Sequence, residues 1–584
     1  MQATRSQSTD AASPGKRTRY DTLRGAMWTD RASFDVHWRE LGEYLLPRRT
    51  RFWAGDRNKG DKRNQKILDS TGRFAARTLS SGLHAGLTSP ARPWMRLTTP
   101  DPDLAEFGPV KVWLHLVTQR ILTIFLQSNL YNALPLIYGD MGVFGTAAAG
   151  ILGDNKDLFR AYTYPIGSYA LGLDRRGMAT TFVREYELTV RALVGEFGGP
   201  GGLPLERGQA PTWGNFSPTI KTLWDRGSFE TPIAVSWMVL PNDDARADRF
   251  EAKHLPWASC HYETGADSAQ EGFLRESGFS TFPILAPRWD VNSPEDVYGT
   301  DCPGMTALGD IKQLQGMQRK KAQGIAKQID PPLVGPSSLR TQKTSLLPGD
   351  ITYQDVREGQ QGLRSIHDVN INLADMTNDI QDTRYLIRRA FYEDLFLMLA
   401  QDQRMGAARP TAREVEERHE EKLLALGPVL ERTNDELLDP LVDRTYALME
   451  AAGLVPDPPE ELDGVVLKVE YISILAQAQK LVGVVAQDRL LQSVVGLAQA
   501  YPEVLKKLDI YQVVDNYGEM YGTDPRLIRP TEDAQQLVAA EAQRQQAQLD
   551  AEHAKTMAEA LHQAGTTPMD GDTALTRMAQ GAPA

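Results

Sequence analysis

Histidine and cysteine are the first residues to consider, because their side chains are the usual ligands of structural zinc. The densest group of them comprises His254, Cys260 and His261, together with the distant Cys302. A structural zinc site needs paired ligand spacings such as C-x2-C, and the sequence contains none. We therefore interpret these residues as parts of packed strands, and we expect no bound metal and no other cofactor.

Motifs for nucleotide binding or hydrolysis are also missing from the sequence. There is no GxxxxGK[ST] phosphate-binding loop, no HExxH and no GxSxG. A run of acidic side chains could supply catalytic carboxylates, but its members spread around their helix instead of converging: Glu414, Glu416, Glu417, Glu420 and Glu421. We expect a protein that is not an enzyme and that hydrolyses no ATP itself.

The composition is that of a large folded protein. The chain has 584 residues, of which 41% are hydrophobic, so several domains are expected. No apolar run approaches about 18 residues, and the polar N-terminus does not resemble a signal peptide, so we expect no membrane association. Two cysteines in this length favour a reducing compartment such as a bacterial cytoplasm.

Periodicity predicts an α+β fold that is predominantly helical. Apolar residues recur at helical spacing in the segments before residue 130, for example at Phe34, Trp38 and Leu41. Three later segments alternate as strands do: Thr181–Val194, Thr231–Leu240 and Arg249–Glu263. Residues 1–19 are polar and are predicted to form a disordered arm.

The middle of the chain is predicted to form two long helices separated by a compact segment. The first helix covers residues 306–330 and ends at Pro331, because a residue before proline is pushed out of the α region. The second covers 371–400, where apolar residues keep a period near 3.6. A glycine-containing arm, 401–410, precedes a third helix that Thr411 caps with Glu414 at the capping-box position.

The most distinctive stretch of the sequence runs from Asn64 to Leu97 and reads NQKILDSTGRFAARTLSSGLHAGLTSPARPWMRL. It predicts a helix with an unusually small surface that includes Gly72, Gly82 and Gly86. Each glycine inside a helix costs about 1 kcal/mol relative to alanine, so a compensating gain is required. We expect another backbone to approach this helix closely.

This block resembles the head-to-tail connector, or portal, proteins of short-tailed bacteriophages, which carry a similar DSTG…SGL…GLTSPARPW segment. A second resemblance lies in FLRESGFSTFPILAPRWDVNSPEDVY, residues 273–298, and a third in TAREV, residues 411–415. Together they cover residues 20–453. A motif of this length, with several prolines and a tryptophan, is much more specific than a short catalytic signature.

The resemblance implies a portal-like architecture assembled as a ring. It divides the chain into named regions: a disordered arm (1–19), an α+β wing (20–304), a first stem helix (305–330), a clip (331–370), a second stem helix (371–400), a tunnel loop (401–410), a wing helix (411–455), a C-terminal crown or barrel (456–566) and a disordered tail (567–584).

The family's function is to pass double-stranded DNA through the ring. Helices of about 30 residues span roughly 45 Å, and a ring of them around a duplex about 20 Å wide needs about a dozen subunits at helix spacings of roughly 8–10 Å. The family is expected to be dodecameric. The net charge of −12 favours a wall that DNA slides past, although an acidic surface is also simply well solvated.

Sparse basic residues are the candidates for contacts with passing DNA. The resemblance places Arg404 and Arg409 on the tunnel loop, and Lys312, Lys320, Lys327 and Lys343 on the stem and clip. Such residues could touch phosphates transiently. Solvated surface charge and ion pairs between subunits remain as alternatives, particularly for the helix lysines.

The resemblance also implies partners and a location. We expect a homo-oligomeric virion protein at one capsid vertex, made in the host bacterial cytoplasm, which contacts a terminase ATPase, capsid or scaffold proteins and later tail adaptor proteins. Two alternatives remain: a structural phage component, such as an adaptor or scaffold, that encloses no DNA, and an enzyme of low oligomeric order with an unrecognised site. Only a portal would form a large ring with an axial hole.

Overall fold

The computed structural model combines helices with strands, as the sequence predicts, and its sheets are antiparallel. It describes residues 15–56, 60–249, 251–266, 272–329, 333–334, 364–365, 373–402, 426–472, 490–491, 493–494, 496–497, 501, 503, 507–521 and 531–566. The chain divides into two compact units. Unit 1 comprises Met1–Thr98, Trp113–Pro458 and Val466–Gln479, and unit 2 comprises Thr99–Val112, Pro459–Val465 and Lys480–Ala584.

The helices are, in chain order, α1 (Lys16–Tyr44), α2 (Thr71–Leu87), α3 (Pro102–Glu106), α4 (Gly108–Gln127), α5 (Leu130–Phe144), α6 (Val190–Phe197), α7 (Pro218–Asp225), α8 (Pro303–Ile329), α9 (Leu373–Ala390), α10 (Glu393–Asp402), α11 (Asp439–Ala451), α12 (Ile510–Tyr521) and α13 (Thr531–Thr566). The strands are β1 (Met95–Thr98), β2 (Ala148–Asp154), β3 (Leu158–Tyr164), β4 (Tyr169–Leu173), β5 (Ala179–Thr189), β6 (Pro232–Pro241), β7 (Trp257–Glu263), β8 (Arg275–Phe279), β9 (Ile284–Leu285), β10 (Leu333–Val334), β11 (Arg364–Ser365) and β12 (Lys468–Tyr471).

The sheets of unit 1 are antiparallel. The largest has the strand order β4–β5–β6–β7–β8, with Val183 opposite Met238 and Trp237 opposite His261. A second sheet has the order β3–β2–β9, while β1 pairs with β12 and β10 pairs with β11. Met27 of α1 joins a buried cluster on the large sheet, which gives this helix its place in the fold.

The prediction of a disordered arm over residues 1–19 is wrong for its last four residues. Helix α1 begins at Lys16, and the side chain of Arg17 is buried. Its guanidinium donates a 2.8 Å hydrogen bond to the Glu263 carbonyl and lies 3.7 Å from the ring centroid of Tyr262. The polar composition of the segment suggested disorder, yet β7 supplies the carbonyl and the aromatic ring that hold it.

Two predicted strands are shorter than expected. The alternation over Thr181–Val194 changes to helix at Val190, where the Thr189 hydroxyl accepts a hydrogen bond from the Ala192 amide and caps α6. In Arg249–Glu263 only the part from Trp257 pairs as a strand. In Thr181–Val194 the apolar spacing fits a strand and a short helix equally well, so periodicity could not separate the two. In the second segment, residues 251–256 are exposed or half-buried, and the strand begins where burial begins, next to Ala258.

One of the two predicted long central helices is confirmed, and the other is interrupted. The helix predicted over 306–330 is confirmed as α8. The prediction of an uninterrupted helix over 371–400 is wrong, because α9 ends at Ala390 and α10 begins at Glu393. Tyr392, between them, adopts φ +54°, a left-handed conformation that a residue other than glycine rarely takes. Phe391 and Phe396 are buried on either side of the break.

The helix predicted from Thr411 to Glu450 can be followed over its described part. Residues 426–433 are helical, a π-helical turn follows at Asn434–Leu438, and α11 continues to Ala451. Thr411 and Glu414 lie outside the described residues. The π turn places Glu436 toward the interior of unit 1, where it is buried.

Unit 2 contains α3, α12 and α13 among its described residues. The helix predicted from the Ala-, Gln- and Glu-rich composition of 533–563 is confirmed by α13. Its apolar side chains Leu537, Val538, Leu549 and Met557 are exposed. No helix among the described residues is both long and apolar enough to cross a membrane.

Candidate functional site: the helical hairpin and its anchors

Helices α8 and α9 pack against each other and form a helical hairpin. Lys321 of α8 donates a 3.2 Å hydrogen bond to the Thr377 hydroxyl of α9, and Thr383 lies 3.8 Å from the sulfur of Met317. Toward the base of the hairpin, Ile311 and Leu314 of α8 and Ile387 of α9 are buried. The hairpin therefore has an apolar base in the core of unit 1 and a more polar distal part.

Asp69, the first residue of the DSTG motif, anchors this hairpin to the start of α2. One carboxylate oxygen, Oδ2, accepts hydrogen bonds from Arg384 of α9 at 2.7 Å and from Gln318 of α8 at 2.9 Å. The other, Oδ1, accepts from the amide and the hydroxyl of Thr71. Gln315 completes the cluster, since its side-chain oxygen accepts from the amides of Leu68 and Asp69. We call Asp69, Gln315, Gln318 and Arg384 the Asp69 junction.

The electrostatics of the Asp69 junction favour an ionised carboxylate. Burial by itself would raise the pKa of Asp69, but the hydrogen bonds from Thr71, Arg384 and Gln318 outweigh it and hold the pKa below its ordinary value of 3.8. At neutral pH the carboxylate is therefore charged and connects three helices: α2, α8 and α9.

The glycines of α2 receive side chains of neighbouring segments, whereas the sequence predicts the close approach of another backbone. A Cβ atom at Gly82 would lie 2.2 Å from Cγ of Phe396, so the aromatic ring of α10 rests directly on the backbone of α2. A Cβ atom at Gly72 would lie 3.0–3.1 Å from side-chain carbons of Leu45 and Ile311. The cost of glycine in this helix is thus offset by contacts that a larger residue would block.

A second anchor lies in the PRW motif. The guanidinium of Arg288 donates to Glu436 Oε1 at 2.7 Å and to Oε2 at 3.1 Å, and both side chains are buried. The remaining donors of Arg288 reach the carbonyl oxygens of Gly177 and Asp296 at 2.7 and 2.6 Å. We call these four residues the Arg288 junction. It ties the segment before α8 to the π-helical turn.

The residues next to the Arg288 junction fix the start of α8. The Trp289 amide donates to the carbonyl of Gly145, which has φ +77° and ends α5. A Cβ atom at Gly299 would lie 2.1 Å from that same carbonyl oxygen, and one at Gly304 would lie 2.4 Å from the carbonyl oxygen of Val143. The backbone at the base of the hairpin is therefore in direct contact with α5.

Three of the six predicted DNA-contact residues lie among the described residues, all on α8. Lys312 is exposed, and its ammonium lies 2.5 Å from Glu40 of α1, whose hydrogen bond raises the pKa of this lysine. Lys320 and Lys327 are exposed on α8. Lys343, Arg404 and Arg409 lie outside the described residues.

The group of His254, Cys260, His261 and Cys302 belongs to unit 1. Cys260 is buried in the cluster under the large sheet, and burial raises the pKa of its thiol to about 12. The His261 ring stacks on Trp237 with centroids 5.6 Å apart, and burial lowers the pKa of His261 to about 3. Cys302 donates through its sulfur to the Val143 carbonyl. Within the part of the chain that is described, no three His, Cys, Asp or Glu side chains are grouped to hold a metal ion.

Sequence reasoning singled out the segments that contain Asp69 and Arg288 but assigned neither residue a contact. Their partners Arg384 and Glu436 lie more than a hundred positions away in the chain. The available signal was the presence of one charged residue in each motif among small, apolar and aromatic residues, because such a charge has to be paired when it is buried.

The two junctions are built from motif residues, and the Asp69 junction holds the helical hairpin against α2. The sequence matches the family of bacteriophage head to tail connecting proteins over residues 17–528. The chain therefore belongs to this family, and its function is that of a phage portal.

Two relatives support the same conclusion. The portal protein of Salmonella phage epsilon15 is 44% identical over 560 residues, which cover 95% of this chain and 96% of the relative. The probable portal protein of Bordetella phage BPP-1 is 42% identical over 508 residues, which cover 87% of each chain. The similarity thus includes both anchors and extends into the C-terminal region, where the sequence motifs had indicated little.

Proposed function

We propose that the protein forms a homo-oligomeric ring of about twelve subunits at one vertex of the capsid. In this proposal the ring is the channel through which double-stranded DNA enters during packaging and leaves during ejection, without sequence specificity. A terminase ATPase docks on it first, tail adaptor proteins dock later, and capsid or scaffold proteins surround it in the virion. The family match over residues 17–528 carries this proposal.

We assign the parts of the chain to the regions of a portal as follows. The wing comprises residues 20–304 and the wing helix 411–455, the stem helices 305–330 and 371–400, the clip 331–370, the tunnel loop 401–410, and the crown or barrel 456–566. The hairpin of α8 and α9 supports the stem assignment, because its base is buried while its distal part is polar. The exposed apolar residues of α13 support a crown in which neighbouring copies cover them.

The assembled mass and shape test the ring. We expect native mass spectrometry of the purified chain to give a species of about twelve times 64.8 kDa, and negative-stain images to show a ring with an axial hole. An assembly that is solid along its axis would favour an adaptor or scaffold instead. A chain that stays monomeric at high concentration would overturn the proposal.

The predicted DNA contacts are tested separately. We propose that Arg404 and Arg409 on the tunnel loop, with Lys327 and Lys343 on the stem and clip, touch phosphates as DNA passes. Lys312 is the weaker candidate because Glu40 already neutralises its charge. Lys320 is also a candidate for a contact with a neighbouring copy of the chain. We expect an Arg404→Ala/Arg409→Ala phage to package or retain less full-length genome. Normal packaging and retention would exclude both arginines.

A further inference from the structure

The two helices of the hairpin expose charges of opposite sign. Helix α8 presents a basic stripe composed of Arg319, Lys320 and Lys327, and α9 presents an acidic stripe composed of Asp375, Asp379 and Asp382. All six residues are exposed. Within the described part of the chain, no ion pair involves Arg319, Lys320, Asp379 or Asp382, so four strong charges at the centre of the two stripes have no partner of opposite sign there.

The two stripes of one chain point away from their shared contact. That contact runs through Met317 and Lys321 on α8 and through Thr377 and Thr383 on α9. At 3.6 residues per turn, the residues of the two stripes lie between about a quarter and half of a turn around their helices from the middle of this contact. The charges of one stripe therefore do not face those of the other within the same hairpin.

The stripes nevertheless lie at matching levels along the hairpin. The contacts place Lys321 level with Thr377 and Met317 level with Thr383 in an antiparallel pair. Counting from the mean of these two contacts, Lys320 lies level with Asp379, and Arg319 lies level with Ile380, two residues from Asp382. At about 1.5 Å per residue, such a mismatch is less than the length of an arginine side chain.

We propose that the basic stripe of one copy docks against the acidic stripe of the next copy in the ring. This inference rests on the proposed function, since it needs a closed ring. Rotation about an axis along the hairpin preserves the level of every residue, so α8 of one copy meets α9 of its neighbour with Lys320 near Asp379 and Arg319 near Asp382. The contact is heterologous, which is the kind that closes into a ring.

Charge reversal on one stripe at a time tests the contact. In the first variant, Arg319→Glu/Lys320→Glu, both stripes are negative; in the second, Asp379→Lys/Asp382→Lys, both are positive. We expect each variant alone to lose the ring peak in native mass spectrometry and size-exclusion chromatography, because like charges then oppose each other at every interface. Circular dichroism and the thermal midpoint of the monomer verify that each variant is folded.

Mixing the two variants tests the contact more specifically than either variant alone. A 1:1 mixture of the two variants places opposite charges at every interface, so we expect it to recover rings in which the variants alternate and whose subunit number is even. A chain carrying all four reversals should also recover the ring. The control is Arg175→Glu/Arg176→Glu, an equal change in charge at two exposed residues of the turn between β4 and β5, and it should assemble like the wild type.

The outcomes separate this inference from the proposed function. If the wild type forms rings and both single-stripe variants do so at the same concentration, the contact is wrong and the ring remains. Failure of the mixture and of the fourfold reversal to recover rings also refutes it. If the Arg319→Glu/Lys320→Glu variant forms normal rings but packages less DNA, the basic stripe contacts DNA instead. A wild type that forms no ring contradicts the proposed function itself, and this contact with it.

Discussion

The Asp69 and Arg288 junctions both contain an ion pair, but the two pairs differ in how much of each side chain is exposed. Both place one charged residue of a motif segment opposite a partner far away in the chain. In the Arg288 junction the two side chains are only 6% and 8% exposed, whereas in the Asp69 junction the carboxylate is 5% exposed and Arg384 is 28% exposed. Arg384 can therefore regain water if its partner is lost, and Arg288 and Glu436 cannot.

This difference predicts that the two junctions require different free energies to break. The Arg288 junction binds the segment before the hairpin to the π-helical turn in the interior, where both charged side chains are buried. The Asp69 junction connects α8 and α9 to α2 near the surface and depends on the protonation of one carboxylate. A connection of this kind holds the hairpin in place at a lower energetic cost of opening.

The largest expected effect comes from Arg288→Met. This change takes the guanidinium away from the buried Glu436 carboxylate, which among the described residues keeps only the backbone amide of residue 288 at 2.9 Å and the more exposed Arg432 at 3.9 Å. Breaking a buried pair costs about 3–5 kcal/mol, and the two remaining partners place the expected loss near the lower end of that range. We expect a correspondingly lower free energy of unfolding of the isolated subunit in urea denaturation. The double variant Arg288→Met/Glu436→Met should recover much of the loss, because no buried charge remains unpaired. A single variant as stable as the wild type would contradict the importance of this pair.

A smaller effect is expected from Asp69→Asn, which removes the charge but keeps the shape. Hydrogen bonds to charged groups contribute about 1.5–3 kcal/mol, and Arg384 remains partly solvated, so we expect a loss near the lower end of that range. Hydrogen exchange should rise at the amides of Leu68, Asp69 and Thr71. Exchange that rises equally throughout the sheets would instead indicate global destabilisation.

The pH dependence provides a second measure of the same junction. Because the folded state holds the pKa of Asp69 below 3.8, this group stabilises the protein fully above that value, and the contribution is lost as the pH falls below it through the lower pKa of the folded state. We expect the stability difference between the wild type and Asp69→Asn to shrink progressively as the pH falls over an interval that begins near pH 4. A difference that stays constant over this interval would show that the charge of Asp69 does not contribute.

The smallest effect separates packing from helix propensity. Gly82→Ala gains about 1 kcal/mol of helix propensity but forces its methyl group into Phe396, and overpacking typically costs about 1–3 kcal/mol. We expect a net loss of about 1 kcal/mol and a displaced α10. Gly25→Ala in α1, where a Cβ atom has open space, is the matched control and should be stabilising. Equal gains at both positions would mean that Phe396 moves aside freely.

The sequence predicted more of the elements than of their contacts. The helix at α8 and the helix after Asp69 follow from periodicity, and both are found, whereas the glycines that composition predicts to admit another backbone receive side chains instead. The break at Tyr392 could not be foreseen, because Ile387, Phe391 and Leu395 keep a helical spacing across it. The tertiary contact of Phe396 with Gly82 accompanies the change of direction there.

By itself, the sequence determined the family, the α+β class and the positions of most helices, because long motifs and the 3.6-residue period are local properties of the chain. Only the tertiary structure decided that Asp69 meets Arg384, that Arg288 meets Glu436, and that Lys312 is neutralised by Glu40 while Lys320 points outward. These pairings join residues that are far apart in the chain, and whether a charge is buried, paired or exposed depends on which surfaces the fold brings together.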